Sequence, residues 1–191
     1  MCKKAARQLN ALARISKHLD IDSRKIIYQS FVASNFNYCP LVWHFCGKLN
    51  SAKTEKIQER ALKIIYKDYN SSYNELLSNS GTSSLLMYRI RLIIIEVYKC
   101  IRNLNPQIIN EVFEIKPSTY SFRNEFKLEQ SKKRTTTYGL RSFGYVGAKL
   151  WNDTSHHIDL STFINRDNEI GSLKAYLKKL EIKLDPNFSY V

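Results

Sequence analysis

The sequence predicts a mainly α-helical protein: a helical bundle, then a small α+β region with a two-stranded hairpin and a C-terminal helix. Three observations lead there. Apolar residues recur at three- and four-residue spacings through most of the chain. Helix-start signals precede several of those segments, among them Asp22, Ser72-x-x-Glu75 and Asn105-Pro106. One stretch, residues 120–137, instead alternates and is rich in Thr, Phe and Tyr.

Taken in order, residues 3–18 place Leu9, Leu12 and Ile15 at helical spacing, with alanines between them and basic residues elsewhere. Asp22 can cap a second helix carrying Ile26, Ile27 and Phe31. Pro40 should kink or restart it near residues 37–39. The aromatic-rich stretch 38–46 reads as core, and Gly47 as a helix stop. A third helix opens at Leu49-Asn50-Ser51 and runs to about Lys67. Ile57, Ala61 and Ile64 lie on one face, with Lys53, Lys56, Arg60, Lys63 and Lys67 largely off it.

Ser72-x-x-Glu75 resembles a capping box before a short helix, and residues 79–82 form the best internal boundary. The chain is therefore divided into residues 1–80, the bundle, and 81–191, a C-terminal region. Ser83 or Ser84 starts the longest helix, to about Asn103, with Leu86, Ile90, Ile94, Val97 and Ile101 inward. Asn105 caps a short helix with Pro106 in its first turn. The hairpin follows over 120–137, with a polar tip at 130–134. A short helix spans 142–152 despite Gly144 and Gly147. An amphipathic helix over 168–183 places Ile170, Leu173, Leu177 and Leu180 on one side.

Hydrophobic residues make up 43% of the 191, so a core can form and wholesale disorder is excluded. The formal net charge is +13. Residues 1–80 carry thirteen basic and six acidic groups, a net of +7, and residues 81–191 carry seventeen and eleven, a net of +6. The excess is spread along the chain and suits a phosphate backbone, although a solvated surface would account for it equally. The longest apolar run, near residues 92–95, is far shorter than the roughly 20 residues that span a bilayer, so no membrane is expected. Four irregularly spaced cysteines read as free buried thiols in a reduced compartment, cytoplasm or nucleus. Met1-Cys2-Lys3-Lys4 leads straight into helical periodicity, as if the chain began inside something larger.

Catalytic chemistry finds little support. Two-metal polymerase and nuclease sites need clustered carboxylates, and no two aspartates are adjacent here; Asp20 and Asp22 sit at a helix start, where capping accounts for them. No glycine-rich phosphate loop is present. Cys39, His44 and Cys46 are close in sequence, and Cys100 or His156-His157 could add ligands, but no Cys-x-x-Cys pair exists. Core packing is favoured over zinc there, and an exposed loop for the two histidines. No catalytic residue, metal or cofactor is expected.

Basic positions with aromatics between them are the better signal. Lys53, Lys56, Arg60, Lys63 and Lys67 share one helix face by their spacing. Lys132, Lys133 and Arg134 concentrate charge at the hairpin tip. Tyr138, Arg141, Phe143 and Tyr145 offer stacking surfaces for single strands, against the alternative that Phe143, Tyr145 and Trp151 are core. The expected partner is an RNA or DNA backbone.

An ordered series of strings carries a resemblance. Residues 9–15 read LNALARI, 28–43 YQSFVASNFNYCPLVW, 56–63 KIQERALK and 73–77 YNELL. Later come EVYK at 96–99, YGLRSF at 138–143 and GAKLWN at 147–152. This succession, covering nearly the whole chain, resembles the C-terminal end of reverse transcriptases from non-LTR (LINE-type, jockey- or CR1-like) retrotransposons. The resemblance implies the thumb, a helical bundle that grips the template–primer duplex, plus the region after it. The palm with its catalytic aspartates lies upstream of the matched strings, so no activity is implied for this stretch. The family commonly has Leu-Pro shortly after its Trp-Asn, where this chain has Thr154-Ser155. Two alternatives stand beside it: an inactive, degraded or domesticated retroelement remnant, and a protein-interaction module in which Leu9, Leu12 and Ile15 face the palm or another chain.

Overall fold

The structure, a computed structural model, describes residues 1–116, 127–130, 132–157 and 170–179. Within them the chain is mainly helical, as the periodicity predicts. It divides into two compact units, Met1–Arg89 and Ile90–Tyr190.

The first unit opens with α1 (Cys2–Ile15), which tightens into a 3₁₀ turn at Ser16–His18. Ala5, Leu9 and Leu12 form its buried stripe. They join Val32, Phe36, Ala61, Ile64 and Leu85 in one apolar cluster. The unit's own helices cover Leu9 and Leu12, and of Leu9, Leu12 and Ile15 only Ile15 is exposed.

α2 (Ile21–Ile27) is capped by Asp20, not Asp22, because the Asp20 carboxylate accepts the N–H groups of Asp22 and Ser23. The chain continues through a π-helical segment, Tyr28–Ala33, into α3 (Ser34–Asn37). The inward residues are Arg24, Tyr28, Val32 and Phe36, four apart throughout. An ordinary α-helix would rotate such a stripe off its partner, and the wider π turn keeps it in place. Ile26 and Phe31 are consequently exposed, and only Ile27 of the three expected apolar residues reaches the cluster. Pro40 interrupts as predicted. Tyr38 is extended, Cys39 is left-handed (φ 43°), and Pro40 opens the single turn α4 (Pro40–Trp43). The stretch 38–46 is core only in part, since His44 is buried and Trp43 partly so, while Tyr38 and Val42 face solvent.

Gly47 stops that turn and also starts the next helix. At φ 86° it takes a conformation that other residues rarely adopt. α5 (Lys48–Tyr66) is the longest helix described, ahead of α7 (Leu85–Ile101). Between them lies α6 (Tyr73–Ser80). Its predicted capping box is present: Ser72 Oγ accepts from Glu75 N–H, and Glu75 Oε2 accepts from Ser72 N–H at 2.8 Å.

A polar network fastens the start of α7. The Glu55 carboxylate of α5 accepts from the N–H groups of Leu85 (3.3 Å) and Leu86 (2.7 Å) and from the Tyr73 hydroxyl (2.6 Å). Gln58 Oε1 accepts from Leu85 N–H as well, and its amide donates to Ser83 C=O. A carboxylate at a helix N-terminus satisfies orphan donors and opposes the positive end of the macrodipole.

Burial and the Glu55 charge push the Tyr28 phenol up to about 12, and the same two causes, with a hydrogen bond to Glu55, raise Tyr73. The unfolded Tyr28 phenol ionises near 10. Its contribution to stability is therefore fully present below pH 10 and is lost as pH rises toward 12. Chemical denaturation at pH 9 and pH 11.5 should show the loss, and Tyr28→Phe should reduce it by ~2 kcal/mol. Equal losses in both proteins would refute this.

In the second unit, the rest of α7 buries Ile90, Ile93, Ile94, Ile95, Val97, Tyr98 and Cys100, a broader apolar surface than the single stripe expected. Cys100 is the one buried thiol; Cys39 is exposed and Cys2 and Cys46 half-buried, so the thiols are not uniformly interior. α8 (Gln107–Asn110) begins one residue later than predicted, with Pro106 and not Asn105 at the cap position, because the Asn105 side chain donates to Cys100 Sγ.

The predicted hairpin is not formed among the described residues; its 120–126 and Ser131 positions lie outside them. Leu128 pairs antiparallel with Ile115, an isolated bridge, and Thr136–Leu140 is a π-helical turn. The physical reason is Asn152. Its Oδ1 accepts from Leu128 N–H and its Nδ2 donates to Leu128 C=O, both at 2.9 Å. A side-chain amide thus takes the ladder bonds that a partner strand would have made. On the other edge, Lys116 N–H donates to Lys127 C=O and Glu129 N–H to Glu114 C=O, each at 2.8 Å.

α9 (Phe143–His157) extends five residues past the predicted end. It therefore includes Thr154-Ser155 and the two histidines expected in a loop; Ser155 Oγ donates to Trp151 C=O within the helix. Gly147 explains how a glycine serves here. A Cβ at this position would lie 2.9 Å from Phe113 Cζ and 3.0 Å from Val97 Cγ2. Gly147→Ala should destabilise by about 1–2 kcal/mol in urea unfolding, its overpacking exceeding the gain in helix propensity. A neutral or stabilising result would show that Phe113 yields. α10 (Ile170–Lys179) buries Leu173 and Leu177; Leu180 lies outside the described residues. No helix among the described residues is long and apolar enough to cross a membrane.

Candidate nucleic-acid interface

α5 presents the predicted basic face. Its inner side is fixed by Thr54, Gln58, Ala61, Leu62 and Ile65, all buried. Lys53, Lys56, Arg60 and Lys67 are exposed on the other side, while Lys63 is half-buried. At 100° per residue these five positions fall within an arc of roughly 80°, and they span about 21 Å along the axis.

Two carboxylates on the same helix decide how much of this charge is available. Glu55 points to the start of α7 and takes no part in the face. Glu59 accepts from Lys63 Nζ at 2.7 Å, so Lys63 is already compensated. Lys67 closes the helix in a left-handed conformation, φ 54°. Four exposed cations, Lys53, Lys56, Arg60 and Lys67, remain to meet an anionic surface.

The total charge overstates the surface charge, because two arginines are interior. Arg24 donates from Nη1 to Ile64 C=O at 2.9 Å, tying α2 to the last turn of α5. Arg89 is 1% exposed. Its Nη2 donates to Ser51 Oγ at 2.7 Å, and its guanidinium lies 4.4 Å from the centroid of the Trp43 ring. Burial lowers the Arg89 pKa, opposed by the Glu55 charge. Such an arrangement is a cation–π contact inside a core. Sequence reasoning passed over both residues. The available signal was Arg89's place four residues after Leu85 and four before Ile93, on an otherwise apolar stripe.

In the second unit, Lys132, Lys133 and Arg134 are exposed, and Tyr138 is 90% exposed. Arg141 is half-buried, at the end of the π-helical turn. Of the other residues proposed for stacking, Phe143 meets Phe113 edge to face at 5.2 Å and Tyr145 is half-buried; Trp151, named only in the core alternative, is fully buried.

No three His, Cys, Asp or Glu side chains come together as metal ligands among the described residues. His44 lies edge-on to Phe45 at 4.9 Å, Cys46 Sγ donates to Gly47 C=O, and Cys39 is exposed.

No protein-family model, curated protein or solved structure matches the chain.

Proposed function

We propose that this chain is the thumb and post-thumb part of a non-LTR-type reverse transcriptase, binding nucleic acid through phosphate contacts and carrying no catalytic carboxylate of its own. The ordered strings from residue 9 to residue 152 motivate the family. The observation that carries the binding role is the exposed row Lys53, Lys56, Arg60 and Lys67 on α5, with Glu55 turned away and Glu59 spent on Lys63. Lysine and arginine on a helix face suit backbone contacts, which position a duplex without reading its sequence. The work of such a protein lies in the cytoplasm or nucleus.

A filter-binding titration against duplex and single-stranded RNA and DNA at two salt concentrations tests the reading. Affinity should fall steeply with salt, as expected when bound counterions are released. Absence of binding at low salt, or affinity independent of salt, overturns it. The reading of α1 as a docking helix is not favoured, because Leu9 and Leu12 are enclosed in the first unit's core.

A further inference from the structure

We infer that residues 132–141 form a binding site for single-stranded nucleic acid, in which an unpaired base stacks on Tyr138 while Lys132, Lys133 and Arg134 hold the flanking phosphates. This rests on the proposed nucleic-acid role and adds the strand state and the residue that reads it.

Tyr138 is the starting point. A tyrosine placed for structure buries its ring and leaves its hydroxyl a partner. This ring is 90% exposed, more than any other large hydrophobic side chain among the described residues. It is nevertheless held on a defined turn. Leu140 N–H donates to Thr135 C=O, Arg141 N–H to Thr136 C=O, and Ser142 N–H to Gly139 C=O. The Ser142 hydroxyl also donates to Gly139 C=O at 2.7 Å and accepts from Tyr145 N–H, joining the turn to the start of α9. A ring presented on a bonded turn loses little freedom when a ligand covers it.

The cations are placed beside it. Lys133 packs on Gly139, the residue after Tyr138: a Cβ at Gly139 would lie 2.7 Å from Lys133 Cβ. Lys132, Lys133, Arg134, Thr135 and Thr136 are all exposed. Between Gln130 and Asn152 the chain has five basic residues and no acidic one, and the first turn of α9 carries none either. Phosphates at Lys132, Lys133 and Arg134 therefore meet three exposed cations, with the exposed Glu129 three residues before Lys132 as the nearest carboxylate in sequence. An aromatic face flanked by lysine and arginine is the arrangement by which single strands are held without sequence preference. A base inside a duplex has its faces covered by its neighbours and cannot use the ring.

The test is fluorescence anisotropy with the full chain, using a dye-labelled 12-nucleotide oligo(U) and a hairpin duplex of matched charge. Tyr138→Ala should weaken oligo(U) binding about tenfold, the loss expected for one base stack, and leave duplex binding unchanged. Tyr138→Phe should restore wild-type affinity, because the ring and not the hydroxyl does the stacking. Lys133→Ala should lower the salt slope for oligo(U) by roughly 0.7. If Tyr138→Ala binds both probes as the wild type does, the stacking site is wrong and the broader nucleic-acid reading survives. If it weakens both probes equally, Tyr138 has no strand preference and the inference also falls. If the wild type binds neither probe at low salt, both readings fall together.

Discussion

Replacing Glu55 by alanine should lower the stability of the first unit by about 3 kcal/mol in denaturant unfolding. One carboxylate accepts from Leu85 N–H, Leu86 N–H and the Tyr73 hydroxyl. Gln58 Oε1 can still serve Leu85 N–H and the Tyr73 hydroxyl (2.9 Å), but Leu86 N–H loses its acceptor. Loss of a helix cap costs roughly 1 kcal/mol, and leaving a part-buried donor unsatisfied adds about 1–3 kcal/mol. Glu55→Gln separates the contributions. Its one oxygen can still accept from Leu86. Its NH2 replaces the oxygen that accepted from Leu85 and Tyr73, which keep Gln58. The charge at the α7 N-terminus is lost, so its cost should be about 1–2 kcal/mol. If the alanine variant lies within experimental error of the wild type, the network contributes nothing and α7 is held by Leu85 packing alone.

The largest effect on binding is expected from the triple variant Lys53→Ala, Lys56→Ala, Arg60→Ala. Each phosphate contact on duplex DNA contributes about 0.9 to the slope of log affinity against log salt. Three contacts removed should flatten that slope by roughly 2.7 and weaken binding at ~0.1 M salt by about 10²–10³-fold. The fold should be retained, since all three side chains are exposed and alanine is the better helix former. Lys63→Ala supplies an internal control. Glu59 already compensates Lys63, so its removal should change the slope less than removal of any of the three. Equal slopes for triple variant and wild type would mean that α5 is a solvated face and that any binding lies elsewhere.

Local signals in the sequence were sufficient for much of the helical framework. The Ser72–Glu75 box, the break at Pro40 and the basic arc of α5 depend on residues within one or two turns of each other, and periodicity exposes such features directly. What escaped depends on partners far apart in the chain. The hairpin expected over 120–137 had the right composition, but Asn152, 24 residues beyond Leu128, took the backbone bonds it needed. Likewise nothing local singles out Glu55, because its partners at Leu85 and Leu86 lie some thirty residues on. Arg24 and Arg89 were passed over because burial of a guanidinium is decided by the carbonyl, hydroxyl and indole that meet it. For the candidate site, the sequence named the cations but not their unequal availability. It grouped four aromatic and basic positions, of which only Tyr138 stands open to solvent.

The Asn152 amide has a consequence for how the 127–129 segment finds its place. It offers one acceptor and one donor, and both are met by a single residue, Leu128. Successive residues of an extended segment face opposite sides, so a slip by one position would turn the side chain of Lys127 or Glu129 to where Leu128 is now buried. The amide holds the backbone of whichever residue stands opposite it, and the burial of Leu128 decides which one that is: the pairing with residues 114–116 that is formed keeps leucine inside and the charges out.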